Sequence, residues 1–228
     1  MTIERKRSIR SYVLRQGRMT DAQKTSMEQL YPQYGIELSD GVIDFHQSFG
    51  RNVEHTILEI GFGMGQSLAQ MAKNNLATNY IGIEVHRPGV GRLMHQLSQE
   101  QITNVRVLNE DAVIILKKHL QAESLSGVQV FFPDPWPKKK HHKRRIIQPE
   151  FIKLIMSRLK AGGFIHVATD WAPYAEHIIE VLQMEPSLIN AEGSDLYNKL
   201  LNERPDTRFE NRGKKLGHNI CDVVYIKK

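Results

Sequence analysis

Cysteine is nearly missing from this chain: Cys221 stands alone in 228 residues. One thiol closes no internal disulfide and gathers no zinc cluster. That excludes a disulfide-stapled scaffold and suits a reducing cytoplasm. Long apolar runs are missing too, and no stretch approaches the roughly 18 residues of a membrane span. No membrane association is expected. The N-terminus carries charge without an apolar centre, so a secretory leader is not expected. Its arginines would also suit an organelle-targeting peptide, but Glu4 and Asp21 argue against one. Acidic charge is in the minority: 31 Lys and Arg face 25 Asp and Glu, a net charge of +6 at pH 7. That excess, with a pI near 9.4, points to a polyanionic partner. The 40% of hydrophobic residues suffices for one domain with a full core.

The positive charge gathers in two places. One is Arg5-Lys6-Arg7 with Arg10, Arg15 and Arg18. The other is Lys138-Lys139-Lys140-His141-His142-Lys143-Arg144-Arg145. The second directly follows Phe131-Phe132-Pro133-Asp134-Pro135-Trp136-Pro137. Pro135 and Pro137 bias Asp134 and Trp136 away from the helical region. A stiff, extended loop at a strand end is expected, with a carboxylate and an aromatic beside a cationic strip. Such a loop suits a flat base and the phosphates that carry it. A proline-rich turn followed by a solvated basic loop would carry the same letters. His141 and His142 lack a third ligand at metal spacing, so no metal site is expected.

Residues 1–50 lack a strand pattern and read as a basic extension, partly mobile. Arg5 to Arg18 suits a basic helix or an arm, Asp21 to Leu30 a short helix and Tyr31 to Gly35 a loop. From residue 51 to 228 the pattern is one domain. Strands are expected at Thr56–Ile60, Tyr80–Val85, Asn104–Leu108, Val128–Phe132 and Phe164–Thr169. Helices are expected at Gln66–Lys73, from Pro88, at Asp111–His119, at Gln148–Lys160 and at Pro173–Leu182. Gly162-Gly163 reads as the stop of the fourth. Ile220 to Ile226 alternates like an edge strand or a hairpin partner. Strands alternating with helices of about ten residues give an α/β fold, a mostly parallel sheet with helices on both faces.

Carboxylates recur at the strand ends: Glu59, Glu84, Asp111, Asp134 and Asp170. In a parallel sheet all carboxyl ends share one edge, where ligands bind. Acids also cap helices, which explains Asp111 equally well but Glu59 and Glu84 less well. Gly61-Phe62-Gly63-Met64-Gly65 follows the first strand and opens a helix, the context of a nucleotide-type ligand. Glu84, at the end of the next strand, could bind ribose hydroxyls. The dinucleotide fingerprint Gly-x-Gly-x-x-Gly needs its third glycine one residue later than Gly65. That disfavours a nicotinamide enzyme and favours a ligand without pyrophosphate.

Leu58 to Gly65 resembles the first motif of the class I S-adenosylmethionine-dependent methyltransferases. The match narrows with Gly82-Ile83-Glu84-Val85-His86-x-Pro88-Gly89-Val90-Gly91, Phe132-Pro133-Asp134-Pro135-Trp136-x-Lys138, Ala168-Thr169-Asp170-Trp171 and Thr207-Arg208-Phe209-Glu210. Arg10-Ser11-Tyr12 and Arg15-Gln16-Gly17-Arg18 extend it. Together they resemble the bacterial tRNA (guanine-N(7)-)-methyltransferases, the TrmB family. The resemblance implies a Rossmann-like class I methyltransferase fold, with a seven-stranded sheet and an antiparallel C-terminal strand. It implies methyl transfer from S-adenosyl-L-methionine, leaving S-adenosyl-L-homocysteine, to nitrogen-7 of the variable-loop guanine at tRNA position 46. Cofactor contacts are implied at Glu59, Gly61, Gly63, Gly65, Glu84, Asp111, Ala112 and Asp134, with Asp134 also catalytic. Substrate contacts are implied at Lys138, Asp170, Thr207, Arg208, Phe209 and Glu210. RNA contacts are implied at Lys140, His141, His142, Lys143, Arg144 and Arg145. No metal and no obligatory protein partner is implied, and the chain would act in the cytoplasm as a monomer or homodimer.

The chemistry agrees. Guanine nitrogen-7 offers an in-plane lone pair and needs no general base. A carboxylate would stabilise the charge growing on the ring. At about 4 Å and an effective dielectric near 20, one such pair is worth roughly 4 kcal/mol before desolvation. Asp134 and Asp170 could also accept from the guanine N–H groups. Trp136 could stack on the base, worth roughly 1–3 kcal/mol, or line the core or the cofactor. Enzymes acting on exocyclic adenine amines carry Asp/Asn-Pro-Pro-aromatic, and here a single proline separates Asp134 from Trp136. An RNA-binding protein on a degenerate fold would not need the intact glycine turn and acidic rim.

Overall fold

The structure, a computed structural model, describes residues 10–13 and 17–228, without the side chains of Arg208 and Phe209. Arg5-Lys6-Arg7, Arg15 and most of the expected basic helix or arm lie outside the described residues. The first helix, α1 (Asp21–Gln29), starts with a capping box. Thr20 accepts from the Gln23 backbone, and the Gln23 side chain accepts from Thr20. Next come α2 (Tyr31–Tyr34) and α3 (Phe45–Phe49). Tyr31–Gly35 was expected as a loop. Instead Pro32 sits in the first turn of α2, where its missing N–H costs nothing. α1 lies along the later helix Arg87–Gln99, and Tyr34, Ile36 and Phe49 are buried. Residues 21–50 thus rest on the sheet domain.

That domain alternates as the pattern requires: β1 (His55–Ile60), α4 (Gln66–Asn74), β2 (Thr78–Ile83), α5 (Arg87–Gln99), β3 (Val105–Leu108), α6 (Ala112–Lys118), β4 (Leu125–Phe131), α7 (Pro149–Met156), β5 (Leu159–Thr169), α8 (Ala172–Gln183), β6 (Leu188–Asn190), α9 (Asp195–Glu203), α10 (Arg208–Lys215) and β7 (Cys221–Lys227). The seven strands lie in the order β3-β2-β1-β4-β5-β7-β6. β3 to β5 are parallel, and β7 is antiparallel to both β5 and β6. Ile220 to Ile226 was expected as an edge strand or a hairpin partner, and β7 is neither: the short β6 takes the outer place, and α9 and α10 intervene between β6 and β7.

Alternation along each strand feeds two cores. Leu58, Ile60, Val128 and Ile165 pack under α6, α7 and α8. Ile57, Tyr80, Val107 and Phe164 pack under α4, α5 and α9. The expected helix Gln148–Lys160 stops at Met156 instead. Gly162-Gly163, read as its stop, lies inside β5, where Gly162 takes φ +75° beside a register shift in the β4–β5 pairing. That bulge lets Leu159 pair with Leu125 before the main ladder begins. The basic stretch, expected as a plain loop, is a 3-10 turn over Lys139–Arg144.

Candidate active site at the carboxyl edge of the sheet

The parallel strands deliver their carboxyl ends to one edge, and a two-lobed cleft opens there. One lobe, about 240 Å³, is lined by Gly61, Gly63, Glu84, Asp111, Ala112, Phe132 and Asp134, with Ser11 and Tyr12. The other, about 360 Å³, is lined by Glu59, Gly61, Gly63, Gly65, Ser67, Phe131, Phe132 and Thr207. The lobes share Gly61, Gly63 and the end of β4. A separate cavity of about 310 Å³ lies at the opposite edge, where His55 starts β1 and Lys160 is the second residue of β5.

Glu84 is the hinge of the first lobe. Its Oε2 accepts from the Gly63 backbone at 2.9 Å and its Oε1 from the His86 backbone at 2.8 Å. These bonds tie β2 to the glycine turn and leave lone pairs for a ligand hydroxyl. Burial raises its carboxyl above the usual range, and the backbone donors oppose that shift. Gly63 takes φ +59°, and a Cβ built on it would point into open space. Gly89 works by close approach, since its Cβ would sit 2.0 Å from the Gly63 carbonyl. Gly65 caps α4 against Leu93.

Glu59 is buried to 3% exposure, and its Oε2 has no hydrogen-bond partner. Burial, then the neighbouring Glu84 charge, pushes its carboxyl up to about 8. The flanking Leu58 and Ile60 contribute roughly 1.5–3 kcal/mol each by burial and offset the cost. The Ser67 Oγ beside the same lobe is also unpartnered. A protonated carboxyl buried without a donor, facing a cavity, is complementary to a cationic or N–H-rich ligand group that would draw off its proton.

Asp111 caps a helix and faces the cleft at once. Its Oδ1 caps α6 by accepting from the Val113 backbone, and it faces the first lobe, where Tyr12 donates to its Oδ2 at 3.1 Å. Ala112 lines the same wall. Asp134 is exposed at the mouth. The walls around it raise its carboxyl, and the Arg144 guanidinium opposes that. Asp170 stands on the neighbouring strand end but lines neither lobe. Its Oδ2 lies 3.4 Å from the His218 Nδ1.

The acceptor loop corrects an expectation. Trp136 is not extended: it takes φ +44°, and Phe132 takes +51°. Two non-glycine residues with left-handed φ flank Asp134, a strain that the surroundings must hold. Trp136 does not expose both faces for stacking. Arg144 lies 4.0 Å over its ring, and His141 packs against it edge-on. Its indole N–H donates to the Ser11 carbonyl at 3.2 Å. Arg144 also donates to the carbonyls of Arg10 and Tyr12, so the loop grips residues 10–12 across the cleft.

The basic turn divides. Lys138, Lys140 and Lys143 are exposed. Arg145 is not: it is 3% exposed, donates to the Pro135 carbonyl and covers the Tyr174 ring at 4.7 Å. His142 pairs with Arg145. His141 is held below its ordinary value by desolvation, then by the surrounding cations. Among the described residues no three of His, Cys, Asp and Glu stand close enough to share a metal ion.

α10 carries the last expected stretch. Thr207 caps it, accepting from the Glu210 backbone at 3.0 Å, and faces the second lobe. Glu210 does not face the cleft openly. It is 3% exposed and pairs with Arg204 and Lys214. The side chains of Arg208 and Phe209 lie outside the description. Sequence reading missed Arg204, Asp222, His166 and Gln129. Gln129 pairs in register with Glu59 on one side and His166 on the other. His166 meets the Asp222 Oδ1 at 2.7 Å, and burial lowers its pKa. A polar residue inside an apolar strand, as at Gln129 and His166, was the available signal.

Comparison with known proteins places the whole chain among relatives. A family profile described as "Putative methyltransferase" matches residues 53–223. A tRNA (guanine-N(7)-)-methyltransferase of Methylobacillus flagellatus is 48% identical over 98% of this chain and 93% of its own. Among solved structures, the 16S rRNA methyltransferase KamB superposes with a TM-score of 0.55 at 13% identity, covering 93% of this chain and 96% of its own. A phosphoethanolamine N-methyltransferase 2 of Haemonchus contortus, solved with S-adenosyl-L-methionine, gives 0.51 at 16% identity, covering 79% of this chain and 50% of its own. At those identities the two structures show the fold alone, the class I methyltransferase fold.

Proposed function

The chain belongs to the tRNA (guanine-N(7)-)-methyltransferase family, and on that premise we propose that its target is the variable-loop guanine at position 46. At the coarser level it is a tRNA (guanine-N(7)-)-methyltransferase that uses S-adenosyl-L-methionine and leaves S-adenosyl-L-homocysteine. One observation carries the reading: Glu84, Asp111 and Asp134 from three strand ends line one lobe beside an exposed cationic turn.

The cleft fits the cofactor. Gly63 leaves room, and Glu59 offers an unpartnered acceptor. Glu84 would hold the ribose hydroxyls, Asp111 and Ala112 the adenine, and Glu59 with the glycine turn the methionyl end. When bound, the cofactor supplies an electrophilic methyl group. The chain's task is to present guanine nitrogen-7, whose lone pair needs no base. Asp134 would accept from the guanine N–H groups and balance the growing ring charge. Its exposure screens that attraction well below the roughly 4 kcal/mol of a half-buried pair. Holding the base in line therefore matters more, and effective molarity can supply roughly 7–11 kcal/mol. Asp170 and Thr207 would bound the base. Lys138, Lys140 and Lys143 would hold phosphates, while Arg144 and Arg145 would shape the loop. An A-form major groove is too deep for these side chains, so the guanine must be displaced or looped.

Among the described residues no helix is long and apolar enough to cross a membrane. The reading places the protein in the cytoplasm, with no obligatory partner besides tRNA. Incubation with tritiated S-adenosyl-L-methionine and an unmodified tRNA transcript tests it. Nucleoside analysis is expected to yield 7-methylguanosine, lost when position 46 is changed to adenine. Label in another nucleoside, or label retained in the changed transcript, contradicts the reading.

A further inference from the structure

Arg204 ends α9 with its side chain 7% exposed. Its guanidinium forks onto Asp222 of β7, with Nε to Oδ1 and Nη2 to Oδ2, both at 2.9 Å. Its Nη1 donates to the Glu210 Oε2. Its Cζ lies 5.7 Å from the centre of the Phe131 ring and 5.9 Å from that of Phe132. One cation thus touches β7, the first turn of α10 and the end of β4.

The last two of these segments face each other across the second lobe. Phe131 and Phe132 line one wall, and Asp206, Thr207 and Arg212 line the other. Phe132 takes φ +51° just before Pro133, a conformation that a bulky residue keeps only when its ring is held. The Glu210 side chain, on α10, is oriented by Arg204 and Lys214. Asp222 is fixed in turn by His166 on β5. A bidentate fork sets both distance and plane, which a lysine cannot do.

We propose that Arg204 is a positioning residue for methyl transfer, setting the Phe131-Phe132 wall and the Thr207–Glu210 turn at the separation the acceptor base requires. The inference rests on the methyl-transfer reading above. Arg204 touches neither base nor cofactor and acts through its neighbours.

Arg204→Lys keeps the charge and loses the fork. S-adenosyl-L-homocysteine affinity by calorimetry and tRNA affinity by filter binding are expected to stay within about threefold of wild type. The single-turnover rate is expected to fall roughly 100-fold, the scale of a displacement of about 1 Å. Asp222→Asn removes the fork from the other side and is expected to show the same pattern. Combining the two is expected to cost no more than the worse single change, because both break one contact. Arg204→Lys that binds both ligands and turns over within threefold of wild type overturns the proposal. If Arg204→Lys loses homocysteine-product binding, Asp222→Asn decides alone by the same criterion. Equal losses in binding and rate in both variants also overturn it, since they mark a merely structural role. Wild-type protein that fails to methylate guanine would instead sink the reading on which the inference rests.

Discussion

The two halves of the cleft are built by different means. On the side proposed for the cofactor, Glu59, Glu84 and the glycine turn sit on or beside parallel strands, and the Gly63 and His86 backbone N–H groups fix Glu84. On the acceptor side, Asp134, Trp136 and α10 hang on side-chain contacts between residues far apart in the chain, such as Arg144 over Trp136 and Arg204 on Asp222. A ligand that recurs in one shape suits a site made by the main chain. A large RNA suits a site assembled from adjustable side chains. The first kind breaks through backbone strain or burial, the second through loss of a charge or a contact.

The largest expected effect separates the halves cleanly. Asp134→Ala should lower the methyl-transfer rate roughly 100-fold, chiefly because the base is no longer held in line. tRNA affinity should be nearly unchanged, because the exposed lysines remain. Normal turnover would remove Asp134 from the mechanism.

Gly63→Val attacks the other half. A β-branched residue at φ +59° is strained, and its side chain would enter the ligand's space. S-adenosyl-L-homocysteine affinity should fall roughly 10–100-fold, in proportion to a strain of about 1–3 kcal/mol. Undiminished affinity by calorimetry would contradict the turn as the cofactor site.

Glu59 gives a smaller and pH-dependent signal. Its folded carboxyl is raised to about 8, so the native protein holds a proton that the unfolded chain releases. The stability this confers is complete below the ordinary carboxylate range and is lost as pH rises towards 8. The melting temperature of cofactor-free wild type should therefore fall between pH 6 and 8, by roughly 2–4 °C for each 1 kcal/mol. Glu59→Gln should remove that fall. Parallel curves for the two proteins would show that Glu59 titrates normally.

The smallest effect divides the basic turn. Lys140→Ala and Lys143→Ala should each reduce the slope of log affinity against log salt by about 0.7–0.9 and leave the melting temperature unchanged. Arg145→Ala should do the reverse, because it uncovers Tyr174 and frees the Pro135 carbonyl. A salt slope that responds equally to all three would erase the division.

The same contrast decides what the letters alone could reveal. The half proposed for the cofactor was legible as a feature of the fold because Gly61 to Gly65 and Glu84 follow their strands directly, and a parallel sheet sends strand ends to one edge. Alternation placed every parallel strand for the same reason. The acceptor half was only partly legible. Asp134 stood out between prolines, but nothing local told that Trp136 would turn to φ +44° under Arg144. Arg145 read as a free cation because charge runs do not disclose burial. Arg204, Asp222 and Glu210 lie on separate elements, so their junction exists only in three dimensions. The Gln148–Lys160 helix was overextended because Gly162-Gly163 reads equally as a stop or a bulge.

That both lobes form one site is the claim on which the rest depends. A crystal structure with S-adenosyl-L-homocysteine tests it most directly. The account expects the ribose on Glu84, the adenine beside Asp111 and Ala112, and the amino-acid end reaching Glu59 past Gly63. Density for the ligand at the opposite edge, between His55 and Lys160, or in one lobe with its ribose away from Glu84, would contradict it.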